Sequence, residues 1–165
     1  MQVYAITFKK SDWVPNNPAF PVLLYRSVFL TEDGSEDFAR LFTSHGWQGV
    51  WRNGVFDYQH YHTGAHEVLG VGKGQARLLI GGPTGETFSV KAGDCLLLPA
   101  GTGHMNLGAS DNFEVVGAYP VGQHADIQTS APSKGAMETI ASLPAPETDP
   151  VNGPTGRPMM KAWCS

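Results

Sequence analysis

The chain is predicted to be an all-β protein: a double-sheet barrel with one N-terminal helix and a short C-terminal helix followed by an extended tail. Three observations lead there. Twenty glycines and twelve prolines punctuate 165 residues, the turn density that many short strands require. Between those breaks lie about nine or ten short alternating or wholly apolar stretches at regular spacing. Helical periodicity is sparse, and the chain carries no internal repeat.

With 41% hydrophobic residues, the chain can bury a proper core as one domain over residues 1–165. Its parts are an N-terminal strand and helix (1–46), a barrel core (47–120) and a C-terminal wrap (121–165). The formal net charge of −4 is interspersed, which excludes nucleic acid and anionic membranes as expected partners. The first ten residues lack a basic region followed by an apolar one, and no apolar run approaches the roughly 20 residues that span a bilayer. The two cysteines, Cys95 and Cys164, are too few for a disulfide framework. The expectation is a soluble cytoplasmic protein.

Residues 1–10 alternate as a strand, and 11–21 are irregular and proline-punctuated. Residues 22–30 return to strand composition. Asp33 is placed to cap a helix with Glu36 three residues on; Phe38, Leu41 and Phe42 form its apolar face and Gly46 stops it. His45, on that face, reads as a packed or helix-end residue. Asn53-Gly54 is a hairpin signal. After it, Phe56, Tyr58, His60 and His62 share one parity, so a strand would point all four to one side. Thr63-Gly64-Ala65 turns the chain, and Glu67, Leu69 and Val71 begin a second alternating run. Further strands are expected at 77–80, 87–90, 95–98 and 112–119, with Gly81–Gly85 as a turn. Residues 134–143 can form a helix with Met137, Ile140 and Ala141 on one face, stopped by Pro144. The remainder is extended and proline-rich. It ends in Met159, Met160 and Trp163, as a tail lying over the barrel would.

Two neighbouring antiparallel strands would converge His60, His62 and Glu67 on one interior point. Two imidazoles and a carboxylate so placed invite a divalent cation, because burying them in water-poor surroundings is otherwise costly. A second stretch, Gly93 to His104, reads as turn, buried apolar strand, turn and histidine. The spacing from Gly54 to Gly74 (glycine, five residues, His-x-His, four, Glu, six, Gly) resembles the first signature of the cupin superfamily. Gly93 to His104 resembles the second, up to a departure at position 108, which is glycine; the nearest asparagine is Asn106. More narrowly, most of residues 47–163 resembles the YjlB-type group of small bacterial cupins. The resemblance rests on His-Tyr-His-x-x-x-His-Glu-Val-Leu-Gly, Ala-Tyr-Pro-x-Gly-Gln-x-x-Asp and the closing Asp-Pro-Val-x-Gly-Pro-x-Gly. It implies a cupin jelly roll (a double-stranded β-helix) and a largely unassigned activity. With the apolar N-terminal strand, it also implies a homodimer.

His60, His62, Glu67 and His104 are then the expected ligands of a divalent metal ion, with Fe, Mn, Ni, Co and Zn all compatible. The competing reading is a cavity that keeps the same residues as hydrogen-bonded polar lining. His66 is read as a surface residue first, as a group orienting a ligand second, and as a replacement for Glu67 last. Tyr58, with Phe56, either lines the substrate cavity or packs. Arg52 either binds a substrate carboxylate or lies exposed at a strand edge. Asp126, in the Gln123-His124-Ala-Asp126 segment at the barrel mouth, is either a general base or a turn cap. Cys95 is an inert core thiol. Gly70-Val-Gly-Lys-Gly74 lacks the ending of a phosphate loop, and no helix follows it. Two functions remain: a dioxygenase- or isomerase-type metalloenzyme acting on a small polar organic molecule, or a non-catalytic small-molecule-binding module with a structural or ligand-capturing metal.

Overall fold

The computed structural model describes residues 1–154 and 157–164, apart from the side chains of residues 157, 160 and 164. The expected apolar anchor Met160 and the second cysteine, Cys164, therefore lie outside the described side chains. Nine strands are present among the described residues: β1 (Gln2–Ile6), β2 (Val22–Arg26), β3 (Gln48–Asn53), β4 (Glu67–Lys73), β5 (Gln75–Ile80), β6 (Glu86–Lys91), β7 (Cys95–Leu98), β8 (His104–Ala109) and β9 (Glu114–Tyr119). They form two antiparallel sheets, one of six strands in the order β1-β2-β7-β4-β9-β3 and one of three in the order β6-β5-β8. This is a β-sandwich jelly roll. No helix among the described residues is long and apolar enough to cross a membrane.

Period-two alternation accounts for the wholly apolar runs. Val22, Leu24, Leu96 and Leu98 point between the sheets, where Leu69, Leu78, Ile80 and Phe88 meet them. Leu23, Tyr25, Cys95 and Leu97 point to the other face of the six-stranded sheet, where helices cover them. Strands buried on both faces carry no polar alternation, and so read as unbroken runs.

Helix α1 (Ser35–Ser44) supplies part of that cover through the fully buried Phe38 and Phe42. Phe38 lies so close to β4 that a Cβ on Gly70 would come within 2.5 Å of the ring. The helix ends as expected at Gly46, with φ +81. Its start differs. Gly34 occupies the N-cap with no side-chain cap, Asp33 bridges to Lys73, and Glu36 pairs with Arg52 at 2.6 Å instead of closing a capping box.

Helix α2 (Lys134–Ser142) is capped by Ser133 and buries Ile140 alone, leaving Met137 and Ala141 exposed. The final segment is not wholly extended. Helix α3 (Arg157–Cys164) brings Met159 and Trp163, four residues apart, onto one face and into the core. The Trp163 indole stacks on Phe20 at 4.8 Å and donates to the Pro21 carbonyl at 2.9 Å. The wrap is fastened by Asp149, a fully buried carboxylate accepting from Tyr25 Oη and from the amides of Val151, Asn152 and Met159. A buried charge is tolerated only with such a complete set of donors.

Two expectations in the middle of the chain are corrected. Asn53-Gly54 makes no hairpin, since β3 pairs with β9 and the Asn53 side chain closes on the Gly54 amide at 2.8 Å. Residues 54–62 are not a continuous strand either; isolated bridges at His60 and Tyr61 and single backbone hydrogen bonds at Phe56 and His62 hold them. Strand β8, which the apolar pattern does not announce, takes up the partner role. Its register with β5 shifts between Arg77 and Leu78, near the departure from the second motif at Asn106 and Gly108.

Candidate metal centre

His60-Tyr61-His62 is a three-residue ribbon gripped on both sides. The His60 amide donates to the His104 carbonyl at 3.3 Å and the His104 amide returns the bond at 2.9 Å; Tyr61 and Gln128 exchange a similar pair. Alternation within the ribbon sends Tyr61 to one side, fully buried with its hydroxyl on the Ser130 carbonyl, and both histidines to the other. The predicted shared parity of His60 and His62 therefore holds, over three residues instead of nine. Glu67 opens β4 opposite Leu98, and His104 opens β8 after the turn at Gly101. That glycine has φ +88, and a Cβ there would lie 2.7 Å from the Asn16 carbonyl oxygen, so only glycine suits the turn that delivers His104.

The three imidazoles meet at the floor of the barrel, all buried, with candidate ligand atoms within 4.8 Å of one another. Each Nδ1 faces a backbone carbonyl: Tyr58 for His60 at 3.0 Å, Asp126 for His62, and Thr102 for His104 at 2.9 Å. These acceptors assign the ring protons to Nδ1 and leave the Nε2 lone pairs aimed inward. Beside them, Glu67 Oε1 is 3.3 Å from His62 Nε2 and 3.5 Å from His104 Nε2.

Burial lowers His60 to about 3, with the neighbouring His104 adding to the effect. Burial also opposes a charge on His62, yet the adjacent Glu67 carboxylate outweighs it and the net shift is upward. Burial likewise opposes ionisation of Glu67, but His62 and His104 hold it below the ordinary carboxylate range. The group therefore favours an ionised Glu67 carboxylate beside a His60 ring that resists a charge of its own.

Above this floor is a cavity of 380 Å³ walled by Trp51, Phe56, Leu69, Tyr119 and Ile127 among others. Of the other predicted residues, Tyr58 is exposed beside the cavity, stacked on Phe56 at 4.8 Å, and its carbonyl serves His60. Asp126 takes its turn-capping reading. Its carboxylate accepts from the Thr63 and Gly64 amides, both at 2.8 Å, and from Gln128 Nε2 at 2.9 Å, while its carbonyl serves His62. Burial would raise its pKa; the Gly64, Gln128 and Thr63 donors bring it down instead. Arg52 turns outward to Glu36.

His66 is neither a surface residue nor a member of the metal group. Fully buried, it accepts from the Ala100 amide at Nδ1 and lies 3.1 Å from the Pro144 carbonyl at Nε2, tying the C-terminal wrap to the turn after β7. His45 caps α1 and contacts the Pro150 carbonyl at 2.8 Å. Cys95 is buried, and burial raises its thiol pKa, as an inert core residue requires.

Trp51 and Tyr119 are cavity residues that sequence reasoning missed. The Trp51 indole donates to the Tyr119 hydroxyl at 2.8 Å and lies over its cross-strand partner Gly117, where any Cβ would overlap the ring. Burial and the nearby Glu67 push the Tyr119 phenol up. The β3–β9 register sets this pair, and no spacing within either segment announces it.

A jelly roll whose two short motifs bring three histidines and a glutamate to the floor of its cavity is a cupin. No family model matches the chain. It is 37% identical over 158 residues to the uncharacterized protein YjlB of Bacillus subtilis (strain 168), an alignment covering 94% of this chain and 93% of that protein. The chain belongs to the YjlB family of cupins. Among solved structures, the acireductone dioxygenase of Bacillus anthracis with a cadmium ion in its active center aligns at a TM-score of 0.35 and 20% identity, over 59% of this chain and 61% of that one.

Proposed function

We propose that this chain is a metal-dependent enzyme, of dioxygenase or isomerase type, in which His60, His62, Glu67 and His104 hold one divalent cation beneath a small organic substrate. One observation carries the reading. With a proton on each Nδ1, the three Nε2 atoms and the ionised Glu67 carboxylate converge on one buried space. A proton on His62 Nε2 offsets the carboxylate in part; a divalent cation satisfies all four groups together. Neutral imidazoles with a carboxylate suit Fe, Mn, Ni, Co and Zn alike.

A bound ion of this kind supplies Lewis acidity to a ligand oxygen, and iron would add dioxygen chemistry. The chain's own part is to orient. The carbonyls of Tyr58, Asp126 and Thr102 lock the three rings, while Trp51 holds the Tyr119 hydroxyl at the wall near Glu67. A second reading, a non-catalytic binding module, is favoured by a different observation. Beyond the four donors, Tyr119 is the one titratable group lining the cavity among the described residues, so the wall carries no acid–base pair. A homodimer through the exposed edge strand β1, where Tyr4 is half exposed, belongs to the same proposal, and sedimentation velocity tests it.

Elemental analysis of protein purified without added metal or chelator, beside His62→Ala, tests the centre. Near-stoichiometric metal that the variant loses supports it; equal metal content in both proteins overturns it. Turnover of a bound molecule separates the enzyme from the module, which would be stabilised by ligand without consuming it.

A further inference from the structure

We infer that the cavity takes a compact molecule with one oxygen-bearing head for the metal and an uncharged, apolar, ring-sized body, and that it rejects small polyanions such as phosphate esters and dicarboxylates. The inference rests on the metal reading above for the head and on the wall for the body. Trp51, Val55, Phe56, Leu69, Ala125 and Ile127 present apolar surface, and no lysine or arginine lines the cavity among the described residues. The nearest cation in sequence, Arg52, is turned outward and held by Glu36 at 2.6 Å.

The polar groups of the wall above the donors are Asn53 and the Tyr119 hydroxyl, and the Trp51 N–H is already consumed by Tyr119. A divalent ion among three neutral imidazoles and one carboxylate leaves a net charge of +1, enough for one anionic head and no more. A second negative charge on the body would lie against apolar surface with no partner, which is costly. The 380 Å³ volume stands near the lower end of the roughly 300–1,000 Å³ typical of ligand sites and is more than twice the roughly 150 Å³ that encloses a benzene, so it holds the head and a body of one to two rings. Phe56 and Ile127, each about half exposed, continue the apolar surface to the rim. The polar substrate expected from sequence is thereby narrowed to a polar head on an apolar body.

Hydroxamic acids separate head from body, because one metal-binding head can carry different bodies. Calorimetric titration of metal-loaded protein should show benzohydroxamic acid binding at least tenfold tighter than acetohydroxamic acid, and succinohydroxamic acid no tighter than acetohydroxamic acid. Ile127→Lys, a change at an exposed rim position, should weaken benzohydroxamic acid and tighten succinohydroxamic acid. Equal affinities for all three probes, or tightest binding of the succinyl probe, would overturn the apolar body and leave the metal centre standing. If the protein proves to hold no ion, the body is read separately: benzyl alcohol should give saturation transfer in chelator-treated protein that Ala125→Trp abolishes. Failure to see that transfer overturns the inference by itself.

Discussion

Removing the Asp126 carboxylate should loosen the metal site without touching any donor atom. In Asp126→Ala, the amides of Thr63 and Gly64 and the Gln128 side chain lose their acceptor, and the loop that carries the Asp126 carbonyl to His62 loses its tether. Hydrogen bonds to a charged acceptor contribute about 1.5–3 kcal/mol each when dry. Asp126 and both amides are only half-buried, so water replaces part of the loss, and about 1–3 kcal/mol in total is expected.

Urea unfolding of the chelated protein reads that term. Chelator competition reads the metal site, where a misoriented His62 should weaken affinity by about 10- to 100-fold. The pH dependence has a definite sign. Asp126 is held below its ordinary pKa in the folded state, so its contribution is present above the ordinary carboxylate range and lost as pH falls through the lowered value. Asp126→Ala should lose that acid-side dependence. Asp126→Asn keeps an acceptor for the two amides and should retain most of the metal affinity. Wild-type stability and metal affinity in Asp126→Ala would refute the tether. Abolished turnover in Asp126→Asn with metal affinity intact would restore the general base.

His66→Ala should cost about 2–4 kcal/mol in the chelated protein, since it leaves the Ala100 amide without its acceptor and opens a hole beside Trp163. Because burial lowers His66 to about 4, the unfolded chain takes up a proton that the folded ring refuses. Wild-type stability should therefore fall by about 1.4 kcal/mol per pH unit from this residue alone as pH drops from about 6.5 toward 4, a component absent from the variant's pH-stability curve. Asp149→Ala strands four donors, three of them in buried hydrogen bonds, and should cost about 3 kcal/mol or more in urea unfolding, with earlier proteolysis of the C-terminal wrap. A loss below 1 kcal/mol, on the same basis, would mean the wrap is held by α3 packing instead. Cys95→Ala should leave metal content unchanged by elemental analysis and cost about 1 kcal/mol, as a small truncation in a packed core does.

What the amino-acid order determined by itself is whatever depends on neighbours a few residues apart. Apolar runs at 22–25 and 95–98, the Phe38–Phe42 helix face and the glycine at 101 declare themselves locally, because alternation, helical period and positive φ are properties of short segments. The paired motifs likewise marked His60, His62, Glu67 and His104 as residues that meet, although the strand expected to carry the first two is a three-residue ribbon. Tertiary structure alone decided the rest. His66 and Asp126 are ordinary turn residues in sequence; they become a buried strut and a loop tether only because the chain at 100, at 144 and at 62–64 returns to meet them. Trp51 and Tyr119 become one wall through a pairing of strands some 68 residues apart. The cavity's apolar character follows from the same cause. A lining is assembled from single residues of many segments, and no segment's pattern records which of its side chains will share a space with another's.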